Sequence, residues 1–377
     1  MRPSSNLRAQ HCPRPLVVLC TLHVATTLQP APIICAPSAR ALEAVAPLVI
    51  DAGDRVLAAG IALGDQTALL DRLAGDAGRV VFADVPRKAS RSRGDLFRGG
   101  GVLDRSGDTA DWGGAAADRS DASEFRPLAR AGDVSAALRP DETFDCVVLD
   151  ASALMGADLP LDTLALCESL QRRQPDAPTV LVRSAALTTL AGRLVAGDDP
   201  ARVARVLRSL DDRPALDDER IYEARPCVVG ARGVGEYRAC IDAVVRPEDR
   251  VLELGCHFGT TTALLAETAS YALGVDVGPS IIEKAKRQHP GVDFKVGDAW
   301  AVSGLAALGR WDVIFVDVGG LSGADGTLDA LALARSLGAA LEPRAVVLKS
   351  KCLRKLAKTL APASRLVDGA AAGHERR

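Results

Sequence analysis

The stretch "DRVLELGCHFGTTTALL", Asp249 to Leu265, decides the fold. An apolar run reaches a glutamate, turns through a loop between two glycines, and continues into a helical stretch. In an open parallel sheet this is how a nucleotide-type pocket begins. The glycine turn lets a ligand approach the backbone, and the helix N-terminus faces it. A near-copy, "DRVLAAGIALGDQTALL", stands at Asp54 to Leu70, 195 residues earlier (249 against 54).

The likeness continues in order along the chain. "VVFADV" (Val80–Val85) corresponds to "ALGVDV" (Ala272–Val277), and "AGDVSAAL" (Ala131–Leu138) to "VGDAWAVSGL" (Val296–Leu305). "FDCVVLDAS" (Phe144–Ser152) pairs with "WDVIFVDVG" (Trp311–Gly319), and "TVLVRS" (Thr179–Ser184) with "AVVLKS" (Ala345–Ser350). Ordered blocks of this kind indicate an internal duplication. Each copy alternates short apolar runs with helical stretches, the pattern of parallel βαβ units. The expected fold is therefore α/β, two tandem doubly wound Rossmann-like domains. Ser280, with Glu283 three residues on, reads as a capping box at the start of one helix.

Composition adds bounds. A net charge of −2 gives no global signal for nucleic acid, and 3% aromatic residues argue against a broad base-stacking platform. The nine cysteines form no C-x-x-C pair, and no histidine stands near them at zinc spacing, so we expect reduced thiols and no metal site. No stretch reaches the roughly 18 uninterrupted apolar residues of a membrane span, so no membrane partner is expected.

In the second copy the acids fall at strand ends. Glu253 precedes the Gly255–Gly259 loop, Asp276 ends the second strand, Asp298 follows the third and Asp317 ends the fourth. A carboxylate at Asp276 suits a ribose, one at Asp298 an adenine edge, and Asp317 lies beside the reacting end. The set resembles the class I S-adenosylmethionine-dependent methyltransferases over about residues 230–358. The resemblance implies that Glu253, Gly255 and Gly259 hold the methionine end of S-adenosyl-L-methionine. It assigns Asp276 to the ribose, Asp298 and Ala299 to the adenine, and Asp317 to the pocket floor or catalysis. His257 stands where many members have a third glycine, and is expected to line the pocket. The loop lacks the middle glycine of the dinucleotide fingerprint G-x-G-x-x-G.

"GTTT", "DVIFVDVGG" and "VVLKSKC" are similar, more weakly, to fibrillarin-like RNA ribose methyltransferases, which by analogy makes Asp317 and Lys349 the catalytic candidates. A lysine tuned toward neutral pH can take or orient a hydroxyl proton. The basic segment Arg344–Lys358 is a candidate RNA contact. RNA is slightly favoured as acceptor. The alternative is a non-catalytic cofactor-binding or scaffold module.

The first copy has Ala58 where Glu253 stands and Arg183 where Lys349 stands, while Gly60, Gly64, Asp84, Asp133 and Asp150 persist. Arginine stays protonated and cannot act as a general base. This copy reads as degenerate.

The expected organisation is as follows. Residues 1–42, basic and without an acid before Glu43, form a transit peptide or disordered N-terminus. The degenerate domain spans 43–190, with a mobile insertion at about 90–127, followed by a helical linker at 191–224. The cofactor-binding domain spans 225–377, with its customary last strands shortened or missing. Location follows the N-terminus: a plastid or mitochondrion if it is a transit peptide, the cytoplasm otherwise.

Overall fold

The apolar runs become strands because β-branched and leucine side chains cover both faces of a parallel sheet. The computed structural model describes residues 31–60, 65–84, 123–128, 133–155, 157–211, 226–323 and 326–374. The first half contains β1 (Ile33–Ala36), α1 (Ala39–Val45), β2 (Arg55–Ala59), α2 (Asp65–Ala74), β3 (Arg79–Asp84) and β4 (Ser123–Pro127). It goes on with β5 (Cys146–Asp150), α3 (Ala151–Met155), α4 (Pro160–Arg172), β6 (Thr179–Arg183), α5 (Ala185–Arg193), β7 (Leu194–Ala196) and α6 (Pro200–Asp211).

The second half runs through β8 (Cys227–Ala231), α7 (Val234–Val244), β9 (Arg250–Leu254), α8 (Thr260–Thr268), β10 (Tyr271–Asp276) and α9 (Pro279–Gln288). Then come β11 (Asp293–Val296), α10 (Val302–Ala306), β12 (Val313–Val316) and α11 (Gly326–Leu341). It closes with β13 (Ala345–Lys349), α12 (Lys351–Thr359), β14 (Leu360–Pro362) and α13 (Ala363–His374).

Two seven-stranded sheets result, in the orders β14-β1-β6-β5-β2-β3-β4 and β7-β8-β13-β12-β9-β10-β11. Read in these directions they match position by position, as the duplication requires. The last strand of each half lies in the other half's sheet. β7 pairs in parallel with β8 (Leu194 beside Val228), and β14 with β1 (Leu360 beside Ile33). The helices that deliver these strands start alike. Ser184 Oγ accepts from the Leu187 N–H at 3.0 Å, and Ser350 Oγ from the Leu353 N–H at 3.1 Å. One continuous core joins the halves, running from Leu57, Leu149 and Leu187 to Leu252, Ile314 and Leu356. Each such side chain, fully buried, contributes about 1.5–3 kcal/mol.

Several expectations change here. Among the described residues no strand after β13 joins the second sheet, as expected, yet β8 and the first half's β7 occupy the positions on that side. The expected helical linker at 191–224 contains β7 and α6, and residues 212–225 lie outside the described residues. The first sheet takes in β1, ahead of the expected start at 43. The expected transit peptide lies outside the described residues except for its final part, which forms β1 and the start of α1.

The insertion expected at about 90–127 also lies outside them up to 122, but its end is β4, paired with β3 (Asp84 beside Pro127). β4 occupies the place of β11, and residues 134–137 form a short 3-10 helix ahead of β5, as α10 stands ahead of β12. The capping box is absent. α9 is entered through Gly278 with Pro279 in its first turn, and Glu283 pairs with Lys286 instead. The seven cysteines described are free thiols, six of them buried.

Candidate functional site

Strand register brings the predicted residues to one edge of the second sheet. Leu254 lies beside Val275 and Val316, Val316 beside Leu348, and Lys349 beside Ala231. Gly255, Asp276, Asp317 and Lys349 therefore stand together at the carboxyl ends of β9, β10, β12 and β13.

The Gly255 turn is tightly built. Gly255 has φ +78°, and its N–H donates to the Val275 carbonyl at 2.8 Å. A Cβ there would lie 2.2 Å from the Asp317 carbonyl oxygen, so only glycine fits. His257 is left-handed at φ 48°, exposed, and set against Phe258. Its backbone N–H donates to Asp276 Oδ2 at 3.0 Å, while Gly278 N–H donates to Oδ1 at 3.1 Å. Gly259, at φ +83°, opens α8, and a Cβ on it would strike the Phe294 ring at 2.4 Å. The loop is thus pinned to β10 through Asp276, and α8 starts directly behind it.

Around this turn the surface is open. Asp298 is exposed and accepts from the Trp300 N–H at 2.9 Å, while Ala299 is buried. Val277 and Trp300 are exposed at 65% and 50%, unusual for such side chains beside a row of acids.

Glu253 sits differently. It is 2% exposed, beneath α7 and α8, and accepts a hydrogen bond from Thr262 Oγ1 at 2.5 Å. Burial, with Asp317's charge adding to it, pushes its carboxyl up to about 7. Asp317 and Lys349 form an ion pair. Sequence reasoning missed Tyr237, Thr262 and Arg238, which surround Glu253 from α7 and α8. Tyr237 stands where the first half has Leu42, a difference in the repeat that singles it out.

No family model matches the chain. Among curated proteins it is 29% identical over 115 residues to a protein-L-isoaspartate O-methyltransferase of Protochlamydia amoebophila (strain UWE25). That match covers 29% of this chain and 50% of the relative, so the chain spans half the length of that protein. The chain resembles the class I S-adenosylmethionine-dependent methyltransferases.

Solved structures similar to it include a TehB-like SAM-dependent methyltransferase from Corynebacterium glutamicum, with 26% identity, 29% of this chain and 60% of that one covered, and TM-score 0.22. Another is a SAM-dependent methyltransferase from Thiobacillus denitrificans in complex with S-adenosyl-L-homocysteine. It shows 24% identity, 36% of this chain and 56% of that one covered, and TM-score 0.23.

In the first half of this methyltransferase-like chain, Leu154 packs against the glycine that matches Gly255, and residues 61–64 of the loop lie outside the described residues. Gly60 has φ +69°, and a Cβ there would lie 2.5 Å from Leu154 Cγ and 2.9 Å from the Asp150 carbonyl oxygen. Leu154 belongs to α3, which follows β5 directly. In the second half, Val318–Gly320 take that place, with both glycines exposed. Asp150 is buried and ion-paired with Arg183, the counterpart of Asp317–Lys349. Asp84 is half-buried at the end of β3, Asp133 is exposed, and Gly64 lies outside the described residues.

Proposed function

We propose that the second half binds S-adenosyl-L-methionine at the carboxyl edge of β9–β12 and catalyses transfer of its methyl group. The observation that carries this reading is the Gly255 turn, closed onto Asp317 and pinned to Asp276, beside exposed Val277 and Trp300. The residues fit such a ligand. The Gly255 turn, packed tightly on the Asp317 backbone, stands beside carboxylates suited to hydroxyls and amines, with exposed apolar side chains for a flat ring. When bound, the cofactor supplies an electrophilic methyl on a sulfonium. The chain's part is positioning: Asp276 holds the ribose, Asp298 and Ala299 the adenine edge, and Glu253 supports the cationic end from below. Asp317 and Lys349 stand where an acceptor's proton is held or moved, and fixed geometry is the main source of rate in such a displacement.

The acceptor is open between chemistries. RNA rests on the basic segment Arg344–Lys358. Yet Arg344 pairs with Asp249, Lys349 with Asp317, Arg354 with Asp198 and Glu236, and Lys358 with Asp198. This pairing weakens the RNA reading, although Lys351 and Lys355 are exposed on α12. A scaffold role has one observation in its favour. The Asp317–Lys349 pair repeats Asp150–Arg183 from the half that has Ala58 in place of Glu253, as a brace of the fold would.

Calorimetry on the full chain is expected to show S-adenosyl-L-methionine binding that weakens about tenfold or more in Asp276→Ala. No binding by the unaltered protein would overturn the reading. Labelled methyl transfer to RNA, to an isoaspartyl peptide and to small-molecule extracts then separates enzyme from scaffold. In an enzyme, Lys349→Met abolishes transfer while leaving binding intact.

A further inference from the structure

Tyr237 on α7 is fully buried, and its hydroxyl lies toward Glu253, near enough to act on that carboxyl but outside good hydrogen-bond geometry. A buried hydroxyl whose hydrogen bond is poorly formed costs up to about 1–3 kcal/mol, so a purely structural core would favour an apolar side chain here. The first half has one, Leu42, 1% exposed on α1. The carboxylates that face the Tyr237 hydroxyl belong to Glu253 and Asp317. Tyr237 and Glu253 occur together in the second half, and both are apolar in the first, as Leu42 and Ala58. Thr262 has its counterpart in Thr67. The polar pair thus belongs to the half whose glycine turn packs on Asp317, and the apolar pair to the half whose Gly60 packs on Leu154.

We infer that Tyr237 is a positioning residue for Glu253: its hydroxyl is the donor that Glu253 takes up when it becomes a carboxylate on meeting a cationic ligand at the Gly255 turn. This rests on the cofactor reading above. A buried carboxylate needs more than one donor, and Thr262 supplies one. Arg238, the nearby cation, is tied to Thr261 Oγ1 at 3.1 Å. Burial and Asp317 push Glu253 up to about 7, against Thr262, Arg238 and Tyr237. Burial raises Tyr237 itself well above the usual phenol range, which keeps it a donor throughout. Cys256, facing Glu253 from the loop, is pushed up to about 12 and stays neutral.

The test uses the full chain as Tyr237→Phe, Glu253→Gln, the double variant and the unaltered protein, unfolded by denaturant between pH 5 and 9. Tyr237→Phe is expected to match or exceed the unaltered protein at pH 5, where Glu253 is neutral. It should fall below it as pH rises through about 7, where the carboxylate loses a donor. Glu253→Gln should abolish that pH-dependent difference. A difference independent of pH, or one that survives Glu253→Gln, overturns the inference.

Calorimetry at pH 7 adds a second arm. S-adenosyl-L-methionine should bind Tyr237→Phe about tenfold more weakly and with more proton release, since more Glu253 begins protonated. Equal affinity and equal proton release would also overturn the inference. If the unaltered protein binds no S-adenosyl-L-methionine, the cofactor reading falls, while the stability cycle still decides the Tyr237–Glu253 pairing.

Discussion

At the scale of single residues, close approach of backbones explains why the glycine turn is retained. Gly255→Ala places a methyl 2.2 Å from the Asp317 carbonyl oxygen at φ +78°, and is expected to destabilise the chain by about 2 kcal/mol or more. Gly319→Ala, where nothing lies within 4 Å of the added Cβ, should stay within about 0.5 kcal/mol. Denaturant midpoints of the two variants check the contrast. Glu253 gives a pH signature of its own. Its folded-state pKa, about 7, lies above the ordinary 4.5. The stability it contributes is therefore fully present below about pH 4.5 and lost as pH rises through 7. Glu253→Gln should flatten that part of the profile. The sequence named Glu253 from its place in the repeat, but not its burial, which depends on α7 and α8 closing over it.

At the scale of elements, β4 shows how an edge strand is fastened. Arg126, nearly buried, hydrogen-bonds Glu124 and Glu142, and Arg79 also pairs with Glu124. The Arg126 hydrogen bond, aided by the neighbouring arginines, lowers Glu124 to about 2. The stability from Glu124 is present above about pH 4.5 and lost as pH falls toward 2. Arg126→Ala should remove this acid sensitivity, destabilise the first half by about 3 kcal/mol, and speed hydrogen exchange across Ser123–Pro127. In the sequence β4 is hidden within a polar, glycine-rich stretch, because a strand held by charged side chains carries little apolar alternation. The apolar strands of the second half were legible, since "VIFV" and "AVVL" have no other way to bury four successive apolar positions. The start of α9 was misread for a local reason: Pro279 fixes the entry and leaves Ser280 inside the helix.

At the scale of the whole molecule, the exchange of β7 and β14 makes each half's sheet depend on the other half. Helix α12 lies so close to β8 that a Cβ on Gly230 would come within 2.6 Å of the Arg354 backbone nitrogen. Arg354 then bridges Asp198 of the first half and Glu236 of the second. Cutting the full chain at a protease site placed within 212–225 should leave the two pieces in one complex through size-exclusion chromatography. Unfolding by heat or denaturant should follow a single transition, because the core between the sheets is shared. Separation of the pieces without denaturant would contradict the exchange. Between the halves lies a cavity of about 250 Å³, bordered by Leu190, Ala334 and Gly338. It reaches the amino-terminal end of β8 and takes no part in the site described.

The sequence by itself determined the duplication, the parallel α/β class, the turn at Gly255 and the row of acids at the strand ends, because local patterning and register follow from side-chain periodicity. Tertiary structure alone decided that Glu253 is covered, that Leu154 packs on Gly60, and that the halves trade their last strands. Strands of three residues carry no periodic signal, and their partners lie far along the chain. Packing across the shared core, rather than local preference, selects them.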